Sequence, residues 1–231
     1  MMEPGDELRR VADVMEQVHR RCVWSREMTH EKLVPYLTEE AAEVIDAVES
    51  GSADDLREEL GDLLWQVLFH SAVAEDFAID DVAAGLADKM IRRHPHVFAG
   101  EDAATPERVL DLWNAAKRDE KRSRTSVLDG VPAAMPALAL AQKVLGKGEK
   151  VGVGLELVEA IQAVEALEQA DQEALLPETE EELGDTILGL VALARARGWD
   201  AERALRGRVR AFAGEVREAE QGSRAARSGR G

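Results

Sequence analysis

The chain has 231 residues, enough for one large or two small domains with a buried core. Its formal net charge of −17 argues against broad binding to nucleic acid or anionic membrane, because both carry dense negative charge. A single cysteine, Cys22, excludes an intramolecular disulfide and suits a reducing compartment. The start MMEPGDELRR lacks an apolar signal-peptide stretch, and no segment approaches the roughly 20 apolar residues that span a bilayer. We therefore expect a cytoplasmic protein with neither membrane nor nucleic-acid partners.

Almost all of the periodic sequence has helical spacing, and aromatic residues make up only 4% of the chain. We therefore predict an all-α fold. Start signals are plain at Thr105-Pro106, which places proline at the first helical position, and at Ser52 with Asp55, which form a capping box. The predicted helices, in chain order, cover residues 4–22, 30–50, 52–76, 79–93, 105–123, 133–146, 155–170, 178–197 and 200–219.

The second and third predicted helices carry two pairs of carboxylates. Glu40 and Glu43 are three residues apart, as are Glu59 and Asp62, so each pair shares one helix face. Gly51 lies in the turn between the helices, midway between Glu43 and Glu59 and equally midway between Glu40 and Asp62. An antiparallel hairpin about this turn sets Glu43 across from Glu59 and Glu40 across from Asp62.

Four like charges converging in an otherwise apolar hairpin repel one another unless a cation compensates them. The ligands are hard oxygen atoms without cysteine or histidine among them, and this set selects Mg²⁺ or Mn²⁺. The alternative is a solvated helix face, which is how most acidic runs behave in a chain of this charge. The symmetry of the spacing about the turn favours the metal site.

An internal repeat indicates two copies of one helical unit. EELGDLLWQVLFHSAV at 58–73 returns as EELGDTILGLVALARA at 181–196, which retains Glu182 and Asp185. The alignment places Ala160 and Ala163 where the first copy has Glu40 and Glu43, so we expect the second copy to be a scaffold. We predict domains at 1–125 and 126–231, with a disordered basic tail at about 221–231.

The acidic motif EExxE followed by ExxD resembles that of the MazG family of nucleoside triphosphate pyrophosphohydrolases, in its tandem-domain form. Three longer segments carry the same resemblance: VWSREMTHEKLVPYLTEEAAEVIDAV at 23–48, DKMIRRHPHVF at 88–98 and LDGVPAAMPALALAQK at 128–143. The resemblance implies a tandem repeat of helical-bundle domains, a homodimer and dependence on Mg²⁺, with Mn²⁺ as a substitute. It also implies hydrolysis of NTPs or dNTPs to the monophosphate and pyrophosphate.

The same resemblance implies roles for individual residues, by matching motif to motif. The metal ligands are Glu40, Glu43, Glu59 and Asp62; the phosphate-binding residues are Lys89, Arg92 and Arg93; the nucleotide-loop candidates are Trp24 and Arg26. Glu39 or Glu43 orients or deprotonates the attacking water, and the sequence does not choose between them.

Two other functions remain open at the level of sequence. The first is a catalytically weak nucleotide-binding or regulatory protein, since the second copy has lost its ligands. The second is a narrow dUTP or dCTP pyrophosphatase. We favour broad housekeeping of the nucleotide pool, because the first copy retains every acid of the set.

Overall fold

A computed structural model of the chain describes residues 6–120, 125–153 and 177–228, and all regular structure in these ranges is helical. The predicted all-α fold is confirmed. The chain divides into two compact units, Met1–Lys121 and Arg122–Gly231, where the sequence placed the boundary after residue 125. The predicted helix at 155–170, with its aligned positions Ala160 and Ala163, lies outside the described residues.

The helices described in the first unit are α1 (Asp6–Arg21), α2 (Val23–Arg26), α3 (His30–Ser50), α4 (Ala53–Val73), α5 (Ile79–Arg93), α6 (Pro95–Phe98) and α7 (Pro106–Asp119). Helices α3 and α4 form the predicted antiparallel hairpin and pack along each other. Helix α4 also contacts α1 and α5, and α7 contacts α5 and α6. The hairpin thus contacts α1 and α5 directly, and α6 and α7 are joined to it through α5.

The core of this unit lies where α1, α3 and α4 meet. It consists of Ala12 and Met15 from α1, Leu33 from α3, and Leu68 and Phe69 from α4. Leu33 lies near the start of α3 and Leu68 near the end of α4, so the core holds the hairpin at its open end. The acidic residues lie between the middle of the hairpin and its turn, beyond this core.

Two histidines join the helices of the hairpin at the same open end. The Nδ1 atoms of His30 and His70 are 2.9 Å apart, and the two ring planes differ by 7°. A hydrogen bond between two imidazole nitrogens needs a proton on one of them and a lone pair on the other. Burial, and then the charge of His30, lower the pKa of His70, which favours the neutral ring that can take part in this bond.

The turn of the hairpin follows the local sequence closely. The Ser52 hydroxyl accepts a hydrogen bond from the backbone N–H of Asp55, and the Asp55 carboxylate accepts one from the backbone N–H of Ser52, which confirms the predicted capping box. A Cβ atom on Gly51 would lie 2.8 Å from Ala47 Cα. Only glycine fits there without displacing the backbone, so the turn depends on Gly51.

The second unit contains α8 (Ala137–Gly148), a short 3₁₀ helix (Glu149–Val151), α9 (Glu180–Ala196) and α10 (Ala201–Ser228). Helix α8 contacts both α9 and α10. Its Gln142 side chain donates to Trp199 O and accepts from the backbone N–H of Ala201, both at 2.9 Å, which ties α8 to the turn between α9 and α10. The repeated sequence segment falls in α4 in the first unit and in α9 in the second.

The last helix is longer than the sequence indicated. We predicted its end near 219 and a disordered tail at about 221–231, whereas α10 continues to Ser228. The added residues include alanine, arginine and glutamine, which are favourable in helices, and contain no proline to end the helix. The sequence prediction rested on the lack of apolar periodicity, which does not by itself exclude a helix.

Candidate metal centre

Three of the four predicted metal ligands converge in the structure. One carboxylate oxygen from each of Glu40, Glu43 and Glu59 lies within 4.8 Å of the other two. Glu40 and Glu59 are half-buried, and Glu43 is exposed. We call these three residues the acidic triplet. These three acids meet because α3 and α4 face each other across the turn at Gly51, as the spacing in the sequence predicted.

The fourth predicted ligand, Asp62, lies beside the acidic triplet. Its side chain is exposed, and its charge acts on both half-buried members. Burial, followed by the charge of Asp62, raises the pKa of Glu40. Burial, followed by the charges of Glu43 and Asp62, raises the pKa of Glu59. Both carboxyl pKa values are therefore raised first by burial and second by the repulsion between neighbouring carboxylates.

The donor atoms of the acidic triplet suit a hard divalent cation. Mg²⁺ bonds to oxygen at about 2.1 Å, so oxygens on opposite sides of the ion lie about 4 Å apart. The three oxygens of the acidic triplet all lie within 4.8 Å of one another, which is compatible with this spacing. A hollow of about 240 Å³, lined in part by Glu43 and Glu59, lies beside the cluster on the side of the turn. These residues therefore fit a Mg²⁺ or Mn²⁺ ion with room for an oxygen-rich ligand.

Glu39, the other candidate for handling the attacking water, is adjacent to Glu40 in sequence. Its side chain is exposed, and it lies outside the acidic triplet. Glu43 belongs to the acidic triplet and is also exposed. The two candidates therefore differ in position: Glu43 belongs to the acidic triplet, whereas Glu39 is adjacent to it in sequence only.

The three predicted phosphate-binding residues lie on the last two turns of α5, and two of them meet a carboxylate. Arg93 donates from Nε and Nη2 to Glu120 Oε2, at 3.1 and 2.5 Å, and its guanidinium lies 5.1 Å from the ring centre of Trp113. The Arg92 guanidinium is 3.5 Å from the other Glu120 oxygen. The Arg93 side chain is only 13% exposed and that of Arg92 57%, so Arg92 remains the more accessible cation. Lys89 is half-buried one turn earlier.

The nucleotide-loop candidates lie on α2, the short helix before the hairpin. The Trp24 ring is half exposed and packs edge-on against Tyr36 at 5.9 Å and against Phe69 at 6.0 Å, measured between ring centres. Arg26 ends α2 and is exposed. Tyr36 is one turn before Glu40 on α3, so Trp24 is joined through an aromatic contact to the helix that carries two of the acids.

Sequence reasoning missed three residues of this region: Tyr36, Gln66 and Glu120. The first two carried a readable signal, because Tyr36 precedes Glu40 by four residues and Gln66 follows Asp62 by four. The Gln66 amide donates to Glu40 Oε1. Glu120 gave no such signal, since it is 27 residues from Arg93 and meets it only through the packing of α5 against α7.

Comparison with known proteins agrees with this geometry. A family model described as the MazG nucleotide pyrophosphohydrolase domain matches residues 28–98. A nucleoside triphosphate pyrophosphohydrolase of Escherichia coli K12 is 35% identical over 95% of this chain and 88% of its own length. The chain belongs to the MazG family. The matched range holds the hairpin, all four predicted ligands and the three cations of α5.

Two further relatives match most of the chain. An uncharacterized 26.1 kDa protein in the blaB 3' region of Streptomyces cacaoi is 39% identical over 94% of this chain and 84% of its own length. A nucleoside triphosphate pyrophosphohydrolase of Mycolicibacterium smegmatis is 41% identical over 88% of this chain and 65% of its own length. The likeness therefore extends through both units. In the part of the chain that the structure describes, no helix combines the length and the apolar character of a membrane span.

The contact between Arg93 and Glu120 predicts a pH-dependent effect on stability. Hydrogen bonding from Arg93 holds the pKa of Glu120 below its ordinary value of 4.5. The stabilisation is therefore present above that ordinary pKa and is lost as the pH falls through the lowered, folded-state pKa. We expect Glu120→Gln to lower the free energy of unfolding at pH 7, and the difference from wild type to shrink as the pH falls through the lowered folded-state pKa of Glu120.

Urea unfolding at a series of pH values measures this effect. Asp111→Asn, on the same helix, is the matched control and should show a small difference that does not follow the titration. If the loss of unfolding free energy in Glu120→Gln stayed the same in acid, the ion pair with Arg93 would not be its cause.

Proposed function

We propose that this chain is a Mg²⁺-dependent nucleoside triphosphate pyrophosphohydrolase that converts an NTP or dNTP and water to the monophosphate and pyrophosphate. The observation that carries the proposal is the acidic triplet on the α3–α4 hairpin, with Asp62 beside it. The names of the Escherichia coli and Mycolicibacterium smegmatis relatives, both nucleoside triphosphate pyrophosphohydrolases, support the same reaction. Broad specificity in housekeeping of the nucleotide pool is part of the proposal.

The chemistry follows from charge. A nucleoside triphosphate and a chain of net charge −17 repel each other, so the acidic site needs a cation between them. The bound cation would neutralise phosphate oxygens and lower the pKa of a water molecule. Glu40, Glu43, Glu59 and Asp62 would hold this cation. Glu39 or Glu43 orients the water towards the α-phosphorus, and pyrophosphate leaves.

The α5 cations complete the proposed site. Lys89 and Arg92 bind the phosphate oxygens, while Arg93 is engaged mainly with Glu120 and Trp113 and helps to hold the end of α5. Trp24 and Arg26 are the proposed contacts to the nucleoside. The second unit retains Glu182 and Asp185, yet the Glu182 carboxylate accepts a hydrogen bond from the backbone N–H of Glu178 at 2.8 Å. That carboxylate acts there as a helix cap, which supports a single active site in the first unit of the proposed tandem repeat.

Removal of one acid from the proposed site tests the assignment. We expect Glu43→Ala or Asp62→Ala to reduce pyrophosphate release below about a tenth of wild type, equivalent to at least about 1.4 kcal/mol of barrier. The helical circular-dichroism signal should remain, because removing one charge relieves repulsion between the acids.

The matched control is the double variant Glu182→Gln and Asp185→Asn, which keeps the cap hydrogen bond and removes both charges of the second copy. It should turn over like wild type. Loss of activity in this control, with activity retained in Glu43→Ala, would place the active site in the second unit.

The proposed division between metal ligands and phosphate ligands gives a second test. We expect Arg92→Ala and Lys89→Ala each to lower kcat/KM about tenfold or more, the effect of one charge-assisted hydrogen bond of about 1.5–3 kcal/mol. Binding of Mn²⁺ without nucleotide should stay normal in calorimetry. Arg57→Ala is the control, since Arg57 is an exposed arginine of the hairpin paired only locally with Asp54. Lost Mn²⁺ binding in Arg92→Ala would show that Arg92 supports the hairpin instead.

The homodimer is also part of the proposal. Large apolar residues are exposed on both helices of the hairpin, among them Ile45 and Val48 on α3 and Leu60 and Val67 on α4. Val48 is the most exposed of these four, at 65%, and we propose that a second copy of the chain covers this apolar surface. We expect sedimentation velocity to give the mass of a dimer for wild type and a shift towards monomer for Val48→Lys. A wild-type monomer at micromolar concentration would contradict this part of the proposal.

A further inference from the structure

Gln66 is a buried polar residue directed at the acidic triplet. It lies on α4, one turn after Asp62, and only 5% of it is exposed. Its amide nitrogen donates a long hydrogen bond of 3.4 Å to Glu40 Oε1. Its carbonyl oxygen is buried and has no hydrogen-bond partner among the described residues. The amide nitrogen of Gln66 therefore has a hydrogen-bond partner, whereas its carbonyl oxygen has none among the described residues.

The interaction with Glu40 fixes the orientation of the amide. Reversal of the amide would place the carbonyl oxygen of Gln66 against a Glu40 oxygen, and two acceptors repel each other. The nitrogen must therefore face Glu40, and the unsatisfied carbonyl oxygen is the cost of that arrangement. A buried acceptor without a donor lowers stability. The neighbouring buried positions of α4, Leu68 and Phe69, are apolar, so an apolar side chain at position 66 would be the more stable choice.

We propose that Gln66 is a positioning residue that holds the Glu40 carboxylate in the orientation needed to bind the cation. This inference rests on the proposed metal-dependent function, and it adds a residue that is not itself a ligand. The hydrogen bond restrains one oxygen of Glu40 and leaves the second oxygen for the cation. Such supporting contacts commonly determine metal affinity as strongly as a ligand does.

The test separates positioning from simple packing. Gln66→Met has nearly the same volume and no polar atom to hold Glu40. We expect calorimetry on the metal-free protein to show Mn²⁺ binding at least about tenfold weaker than wild type. The melting temperature without metal should be unchanged or higher, because the unsatisfied carbonyl oxygen is gone. Gln66→Asn, which keeps the amide but is one methylene too short to reach Glu40, should also bind Mn²⁺ weakly.

Ser71→Ala is the control, since Ser71 is also a buried polar residue of α4 but bonds only to the Val67 carbonyl oxygen. It should bind Mn²⁺ normally. Wild-type Mn²⁺ affinity in Gln66→Met, beside a wild-type enzyme that binds Mn²⁺ and releases pyrophosphate, would overturn this inference alone. A lower melting temperature with normal Mn²⁺ affinity would likewise overturn it and show a packing role. A wild-type protein that neither binds Mn²⁺ nor releases pyrophosphate would overturn the proposed function and this inference together.

Discussion

The mutual repulsion of carboxylates at one end of a two-helix hairpin is the constraint on which the first unit depends. Glu40, Glu43 and Glu59 are brought within 4.8 Å of one another, and Asp62 adds its charge to two of them. Nothing in the helices themselves favours such convergence. It is maintained by features at both ends of the hairpin: a tight turn at Gly51 and a packed core at the open end.

The open end and the turn of the hairpin stabilise it in different ways. At the open end, Leu33 and Leu68 bury apolar surface and His30 meets His70, so the register of α3 against α4 is fixed by packing. At the turn, the capping box of Ser52 and Asp55 begins α4 immediately after α3 ends. Stability is therefore supplied away from the acids. The acids keep charges that repel one another, and Gln66, between them and the core, keeps an unsatisfied oxygen; neither feature adds to stability.

Much of this site followed from sequence because it is local. The three-residue spacing of the acids, the glycine midway between them and the capping box all lie within 23 residues of one another, from Glu40 to Asp62, and helix geometry converts that spacing into positions. The long α10 was underestimated, because amphipathic periodicity reports burial and not helix propensity. The roles of Lys89, Arg92, Trp24 and Arg26 remain predictions.

Contacts between helices that are far apart in the chain could not be predicted from the sequence. The ion pair between Arg93 and Glu120 forms only if α7 packs on α5. The edge contact of Trp24 with Phe69 forms only if α2 lies against α4. Neither follows from the spacing of residues in a single chain, because many helix arrangements bury the same apolar faces. For Gln66, the spacing from Asp62 predicts a shared helix face. Its burial and its unsatisfied carbonyl oxygen are visible only in the structure.

The central claim is that the hairpin acids of the first unit bind a divalent cation. Anomalous diffraction from crystals grown with Mn²⁺ tests it most directly, because manganese is located independently of any activity. The account predicts an anomalous peak among Glu40, Glu43 and Glu59, with bonds to oxygen typical of a hard divalent ion. A structure with these carboxylates well ordered and no manganese between them, or with manganese at Glu182 and Asp185 instead, would contradict it.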